Sequence, residues 1–92
     1  MKFEILYKKT FLKELKKLPK DIRVKVERLC FDILPDIKNL SDIKGLEKLI
    51  GYDNYYKVRF GDYRVGLEID IERKIIVCCR VLHRKEIYRY YP

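Results

Sequence analysis

The chain is poor in several residues and patterns on which common protein chemistries depend. It contains no Trp, one Met and a single His, His83, among 92 residues. One imidazole excludes cleavage of RNA by a histidine pair, and neither P-loop glycines nor a GxGxxG or HExxH motif occurs. No apolar run approaches the roughly 18 residues that cross a bilayer, and the first apolar stretch is too short for a secretory signal. We therefore expect a cytoplasmic protein with no membrane partner.

Cysteine is also scarce, and its spacing suggests no covalent or metal framework. The three cysteines, Cys30, Cys78 and Cys79, match neither a disulfide pattern nor a zinc site. Cys30 lies on an apolar helical stripe, where free Cys is usually buried. Adjacent Cys78 and Cys79 would point to opposite faces of a strand, which argues against their pairing. We expect reduced, buried thiols and no metal or other cofactor.

Positive charge is the most prominent feature of the composition. Twenty-two Lys and Arg against 14 Asp and Glu give a formal net charge of +8, with 39% charged and 48% hydrophobic residues. This balance excludes both a disordered tail and a bilayer-spanning protein, and the length accommodates one domain, residues 1–92. The excess of positive charge favours an anionic partner, either nucleic acid or an acidic protein.

Hydrophobic periodicity predicts an α+β fold. The pattern predicts a strand at 2–7 and helices at 10–18 (capped by Thr10) and 20–34. A loop with a turn or two of helix follows at 36–54. Strands are predicted at 55–60, 63–70 and 74–82, and a last short helix or strand within 83–92. The two helices form an αα-hairpin that packs on one face of a mainly antiparallel sheet of about four strands. The opposite face is expected to be open and basic.

Strand side chains alternate between faces, so the apolar positions identify the face that the helices cover. On that face we place Tyr56, Val58, Phe60, Val65, Leu67, Ile69, Val77, Cys79 and Val81. The opposite face then carries Leu82 with the cations Lys57, Arg59, Arg64, Arg80 and, just beyond the strand, Arg84. Facing residues of neighbouring strands lie within about 5 Å, so these cations should form one patch whose repulsion an anion would relieve.

Aromatic content distinguishes a binding surface from an ordinary solvated sheet face. The chain has eight Tyr, most of them in its second half. Tyr rings and Arg planes together can stack unpaired bases while cations hold phosphates. On this basis the candidate RNA-binding residues are Tyr55, Arg80, His83 and Lys85. The alternative is that these side chains are simply solvated and partly balanced by nearby acidic residues.

Two segments of the sequence resemble the RelE/ParE toxins of type II toxin–antitoxin systems. One is YYKVRFGDYRV, from Tyr55 to Val65, and the other is RVLHRKEIY, from Arg80 to Tyr88. The segment LKKLP, from Leu15 to Pro19, is similar to the end of that family's first helix. The resemblance extends over the whole chain and agrees with the order of elements above, so it implies a single RelE-like toxin domain.

The resemblance implies a RelE-type mRNA interferase. Such a toxin enters the ribosomal A site and cuts messenger RNA without a metal, through attack of the ribose 2′-hydroxyl on the adjacent phosphodiester, and so inhibits translation. The family's catalytic positions fall on Lys57, Arg59, Arg64, Arg84 and Tyr88. Either Lys57 or Tyr88 could be the base, because neighbouring cations favour loss of a proton from both. Arg59 replaces a lysine of the best-known members, which keeps the charge but excludes a role as base.

Two other functions remain open within the same superfamily. ParE relatives carry a Leu-His pair like Leu82-His83 and inhibit DNA gyrase without cutting RNA, and a third possibility is an inactive binding module or co-repressor. For partners, the resemblance implies a cognate acidic antitoxin of the RelB type, a 70S-type ribosome and messenger RNA. It also implies that the toxin–antitoxin complex binds operator DNA.

Overall fold

Five strands form one sheet in the spatial order β1-β5-β4-β3-β2. The structure is a computed structural model and describes residues 2–92. Its strands are β1 (Glu4–Tyr7), β2 (Leu46–Lys48), β3 (Tyr55–Phe60), β4 (Tyr63–Asp70) and β5 (Ile75–His83). Only β1 runs parallel to its neighbour, β5, and the other pairs are antiparallel. The predicted α+β class is confirmed, although the sheet has five strands rather than about four.

Two helices connect the first strand to the rest of the sheet, and a third follows the last strand. They are α1 (Lys9–Lys16), α2 (Lys20–Glu27) and, near the end of the chain, α3 (Ile87–Tyr90). A π-helical segment (Arg28–Ile33) continues α2, and short 3₁₀ turns follow at Leu34–Asp36 and Leu40–Asp42. The break between α1 and α2 falls at Pro19, as predicted, since proline lacks the N–H that a helix interior needs. Among residues 2–92, no helix is long and apolar enough to cross a membrane.

The start of α1 differs from the prediction. Thr10 lies inside the helix rather than capping it, because α1 begins at Lys9 and Lys8 is the N-cap residue. The backbone fixes this start: the Lys8 N–H donates to the Cys78 carbonyl at 3.1 Å, and the Leu12 N–H closes the first turn on the Lys8 carbonyl at 3.1 Å. Pairing of the chain with β5 therefore sets the helix boundary.

One core lies between the sheet and the two long helices. Its largest fully buried side chains include Phe11 from α1, Val26 from α2 and Leu34 from the turn that follows. On the sheet side it includes Val58, Val65, Leu67, Ile69, Ile76, Cys78 and Val81. Tyr7 reaches into it and donates its hydroxyl to the Cys30 carbonyl at 2.7 Å. Burial raises the pKa of Tyr7 to about 12.

A smaller core lies on the opposite face of the sheet. It consists of Leu49, Cys79, Ile87 and Tyr91, with Tyr55, Val77 and Leu82 packed against it. The end of the chain thus folds as the helix α3, and it covers part of the face that was expected to be open. All three cysteines are free and buried, and adjacent Cys78 and Cys79 lie in different cores, as predicted.

The predicted facing of Val77 and Cys79 is wrong, because β5 contains a bulge. Gly66 pairs with Arg80 but the next residue, Leu67, pairs with Cys78, so Cys79 is an extra residue in β5. A bulge shifts the alternation of side chains by one position. Ile76 and Cys78 consequently face the helices before the bulge, and Val81 does so after it.

The strand β2 was also missed, since residues 36–54 were predicted to be a loop. It has three residues, lies at the edge of the sheet and pairs with β3 from Leu46 opposite Val58 to Lys48 opposite Tyr56. Its burial runs from half-buried Leu46 to exposed Glu47 and Lys48. Such a short stretch carries no alternation that could be recognised, and pairing with β3 creates the strand.

Candidate functional site

The sheet face opposite α1 and α2 carries a line of cations, which we call the basic face: Lys57, Arg59, Arg64 and Arg80. In the cross-strand register Lys57 is opposite Gly66 and Gly66 is opposite Arg80, while Arg59 is opposite Arg64. The residues between them, Val58, Val65 and Val81, are buried under the helices. Alternation along β3 and β4 therefore predicted the correct face for Lys57, Arg59 and Arg64.

Lys57 and Tyr88, two of the predicted catalytic residues, are in direct contact. The Lys57 ammonium hydrogen-bonds to the Tyr88 hydroxyl and lies 4.9 Å from the centre of its ring. Lys57 is half-buried on β3, whereas Tyr88 on α3 remains 59% exposed. Folding of α3 over the sheet brings together two residues that are 31 positions apart.

These two side chains line a cleft at the end of the sheet. The cleft has a volume of about 360 Å³, and the loop after β2 and the chain terminus form its other walls. Tyr52, which is half exposed, lines the same cleft. An ammonium group, a phenol and a second exposed aromatic ring thus line one cleft.

Arg64 is the most buried of the predicted catalytic residues, with only 8% of its surface exposed. Its Nη1 donates to the carbonyls of Gly61 and Tyr63 at 2.8 and 3.0 Å, which holds the turn between β3 and β4. No buried polar side-chain atom among residues 2–92 lacks a hydrogen-bond partner, so the rest of the guanidinium reaches the surface. Arg64 is therefore a fixed charge rather than a mobile side chain.

Arg59 and Arg84 are the exposed guanidinium groups near this turn. Arg84 lies against it, because its backbone N–H donates to the Asp62 carbonyl at 2.7 Å and its Nε lies 3.8 Å from the Asp62 carboxylate. Both side chains of this pair are mostly exposed, so the attraction is weak and leaves Arg84 free to bind another anion. The turn residue Asp62 had not been singled out, and only its place in the Gly-Asp turn hinted at it.

Arg80 is bound to a carboxylate instead of lying free on the basic face. Its Nε donates to both carboxylate oxygens of Glu14 at 3.0 Å, and Nη2 donates to one of them as well. Hydrogen bonding to Glu14 raises the pKa of Arg80 further above its ordinary value. This pair limits the predicted RNA contact of Arg80. Glu14 was not predicted to be part of the site. The only indication in the sequence was its negative charge, since it is the one acidic residue in α1.

The remaining candidates, Tyr55, His83 and Lys85, have different surroundings. His83 packs edge-to-face on Tyr63, with ring centres 5.4 Å apart, and its Nδ1 accepts from the Lys85 N–H at 3.2 Å. Lys85 is exposed beside the turn, whereas Tyr55 is half-buried between Tyr52 and Tyr91. Tyr55 therefore supports the smaller core and offers only part of its ring to a ligand.

Tyr91 was not predicted, although it shapes the site. Its hydroxyl lies 2.6 Å from the Leu67 carbonyl and 3.0 Å from the Tyr56 carbonyl, and its ring lies directly over Gly66. Burial raises the pKa of Tyr91 well above the ordinary value for a phenol. An isolated glycine within a strand indicates close approach of another group, so Gly66 was the available signal.

Taken together, the geometry describes a small α+β protein with a fixed cationic surface and a lysine–tyrosine pair beside a cleft. Among residues 2–92, no group of three His, Cys, Asp or Glu side chains could hold a metal ion. Such a surface can bind a polyanion and stabilise negative charge on it.

Comparison with known proteins identifies the family. Residues 5–88 match the model of the ParE toxin of the type II toxin–antitoxin system parDE. The chain is also 41% identical over 90 residues to Toxin RelE3 of Methanocaldococcus jannaschii, an alignment that covers 97% of this chain and 99% of the relative. The chain therefore belongs to the RelE/ParE superfamily and is a toxin of a type II toxin–antitoxin system.

Solved structures agree with this assignment. The fold matches the RelB–RelE antitoxin–toxin complex from Methanococcus jannaschii with a TM-score of 0.77 and 41% identity, over 95% of this chain and 99% of that one. It matches the RelBE2 toxin–antitoxin complex of Mycobacterium tuberculosis with a TM-score of 0.69 and 26% identity, over 91% and 100% of the two chains. An E. coli RelE mutant at 20% identity, with a TM-score of 0.70 over 97% and 93%, supports the fold alone.

Proposed function

We propose that this toxin is a ribosome-dependent endoribonuclease that cuts messenger RNA in the A site. The observation that carries the proposal is the Lys57–Tyr88 contact beside a cleft at the end of the sheet. The 41% identity to a RelE toxin over nearly the whole length supports it. Because ribosomes and messenger RNA are cytoplasmic, we place its action in the cytoplasm.

The reaction we propose is an internal transfer of the phosphodiester. The ribose 2′-oxygen bonds to phosphorus, the bond to the 5′-oxygen of the next nucleotide breaks, and a cyclic phosphate and a 5′-hydroxyl result. One member of the Lys57–Tyr88 pair, acting in its deprotonated form, accepts the 2′-hydroxyl proton, and water supplies the proton that the 5′-oxygen takes up as it leaves. Arg59 and Arg84 bind the phosphate, and Arg64 adds fixed positive charge that stabilises the phosphorane transition state.

The proposal predicts that Tyr88→Phe and Lys57→Met each lower the cleavage rate by about 100-fold or more, since general acid–base catalysis contributes about 10²–10⁴. Both side chains lie at the surface of a cleft, so the substitutions should leave the fold intact. The measurement is primer extension on messenger RNA bound to translating ribosomes. Lys44→Met is the matched control, because Lys44 is exposed in the loop before β2 and lies outside the site. If both variants cut as fast as the parent, the assignment of the site is wrong.

Inhibition of DNA gyrase is the second candidate function, and the match of residues 5–88 to the ParE family favours it. In that case the basic face would bind a protein or DNA surface without chemistry. A supercoiling assay with purified gyrase separates the two functions. Inhibition of supercoiling together with intact messenger RNA on ribosomes would replace the nuclease proposal.

We further propose that an acidic antitoxin of the RelB type neutralises this toxin. The structures similar to this chain include toxin–antitoxin complexes, and the chain itself carries a net charge of +8. Opposite net charges favour association through long-range attraction. Co-expression with the small acidic protein of a neighbouring reading frame should give a stable complex and restore growth.

A further inference from the structure

Glu14 is a largely buried carboxylate on a helix whose other charged residues are lysines. The sequence of α1 is KTFLKELK, and the Glu14 side chain is only 14% exposed. A buried carboxylate is costly unless it is paired and hydrogen-bonded. Its position therefore depends on its partners on β5.

Both carboxylate oxygens of Glu14 are bound at the edge of β5. One accepts from the Val81 backbone N–H at 3.1 Å, and both accept from the Arg80 guanidinium. The strand β1 pairs with β5 only as far as Cys78, so the edge of β5 beyond that point has no neighbouring strand. Glu14 thus occupies the place that a neighbouring strand would take, and it fixes Arg80 in a forked ion pair.

Arg80 continues from this pair to the helix that carries Tyr88. Its Nη1 lies 3.5 Å from the Tyr90 carbonyl, and the guanidinium carbon lies 5.4 Å from the centre of the Tyr90 ring. The helix α3 has four residues, too few to be stable without tertiary contacts. A guanidinium that lies over the Tyr90 ring and close to the Tyr90 carbonyl therefore limits how this short helix can move.

We propose that Glu14 is a positioning residue: it fixes Arg80, which anchors α3 at Tyr90 and thereby holds Tyr88 against Lys57. The connection runs from α1 through the edge of β5 to α3, and it gives Arg80 a role different from RNA binding. Its expected effect on cleavage rests on the proposed nuclease function. Its effect on the Lys57–Tyr88 contact does not, because that contact is a property of the free protein.

The test compares Glu14→Gln with the parent by NMR of the full-length free protein. Gln has the same shape and can still accept the Val81 N–H, but it lacks the charge that orients the Arg80 fork. We expect the Tyr88 Cζ and Lys57 Nζ chemical shifts to change while those of core residues such as Leu67 do not. Glu27→Gln is the matched control, since Glu27 pairs with Arg23 within α2. Unchanged Tyr88 and Lys57 shifts in Glu14→Gln would overturn the proposal.

A kinetic double-mutant cycle supplies the second readout. A misplaced Tyr88 should lower the rate constant for cleavage by about tenfold, with little change in the toxin concentration that gives half-maximal cleavage. In addition, Tyr88→Phe should cost less in the Glu14→Gln background than in the parent, because the tyrosine is already misplaced. Equal costs in both backgrounds would contradict the proposal.

If Glu14→Gln does not fold, Arg80→Lys, which keeps the charge but loses the fork, decides by the same criteria. Absence of cleavage by the parent would refute the nuclease function and leave the NMR result decisive for Glu14.

Discussion

At the residue scale, the packing of Tyr91 on Gly66 controls how the end of the chain lies on the sheet. A Cβ atom at position 66 would lie 2.7–2.8 Å from three atoms of the Tyr91 ring. The ring cannot yield easily, because its hydroxyl is held by the Leu67 carbonyl and its edge meets Tyr55. This position therefore requires glycine for space rather than for an unusual backbone conformation.

We predict that Gly66→Ala destabilises the protein by about 1–3 kcal/mol, the usual cost of overpacking a tight contact. It should also loosen the segment that carries Tyr88, because Tyr91 must move. Urea unfolding measures the stability, and hydrogen exchange of the Tyr91 and Arg89 amides, which are bonded in α3, measures the loosening. In a Tyr91→Ala background the same substitution should cost much less, since the clash is gone. An equal cost in both backgrounds would show that the ring is not the cause.

For individual residues of the site, the sequence predicted the face of the sheet but not the side-chain contacts. Alternation along β3 and β4 was sufficient to place Lys57, Arg59 and Arg64 on one face. It could not predict that Arg64 bonds the carbonyls of its own turn or that Arg80 is paired with Glu14, because both depend on side-chain reach between elements. Their roles in catalysis and RNA binding remain predictions.

At the element scale, strand β5 shows where pattern-based prediction fails. Its residues are apolar enough to predict a central strand, and the structure places it between β1 and β4. A bulge leaves no mark in a run such as Val77-Cys78-Cys79, because every choice of face buries an apolar side chain. The bulge turns Cys79 toward the smaller core, where burial raises the pKa of its thiol to about 11.

This burial predicts a loss of stability at alkaline pH. Folding raises the Cys79 pKa from 9.0 to about 11, so it favours the protonated thiol. The resulting stabilisation is complete below pH 9.0 and is lost as the pH rises through about 11. Buried Cys78 and the phenols Tyr7 and Tyr91, whose pKa values are also raised, extend the loss in the same direction.

Denaturant unfolding at a series of pH values across this range should therefore give a free energy of unfolding that falls as the pH rises. The slope against pH should be shallower in Cys79→Ala. A free energy that is constant over the range would contradict the burial of these groups.

At the scale of the whole molecule, the ion pairs neutralise only a small part of the positive charge. The ion pairs of the described residues use Glu14, Glu27, Asp36, Asp62 and Asp70, and four of these five pairs are partly or largely exposed. Exposed pairs contribute little, so they leave the long-range field of a +8 protein largely intact. Composition alone was enough to predict this field, but only the sheet register places part of it beside the Lys57–Tyr88 cleft.

This field gives the last prediction, which concerns binding to ribosomes that carry messenger RNA. If the basic face contacts phosphates, affinity should fall with salt, so that log Kd rises linearly with log salt concentration between about 50 and 200 mM. Each phosphate contact contributes about 0.7–0.9 to the slope, because a bound phosphate releases its counterion. Affinity is measured in a Tyr88→Phe background so that the message stays intact.

Removing the exposed Arg59 with Arg59→Met should reduce the slope by the contribution of about one phosphate contact, whereas Lys44→Met in the loop before β2 should leave the slope unchanged. A salt-independent affinity, or equal slopes for the two variants, would exclude the basic face as the surface that binds RNA.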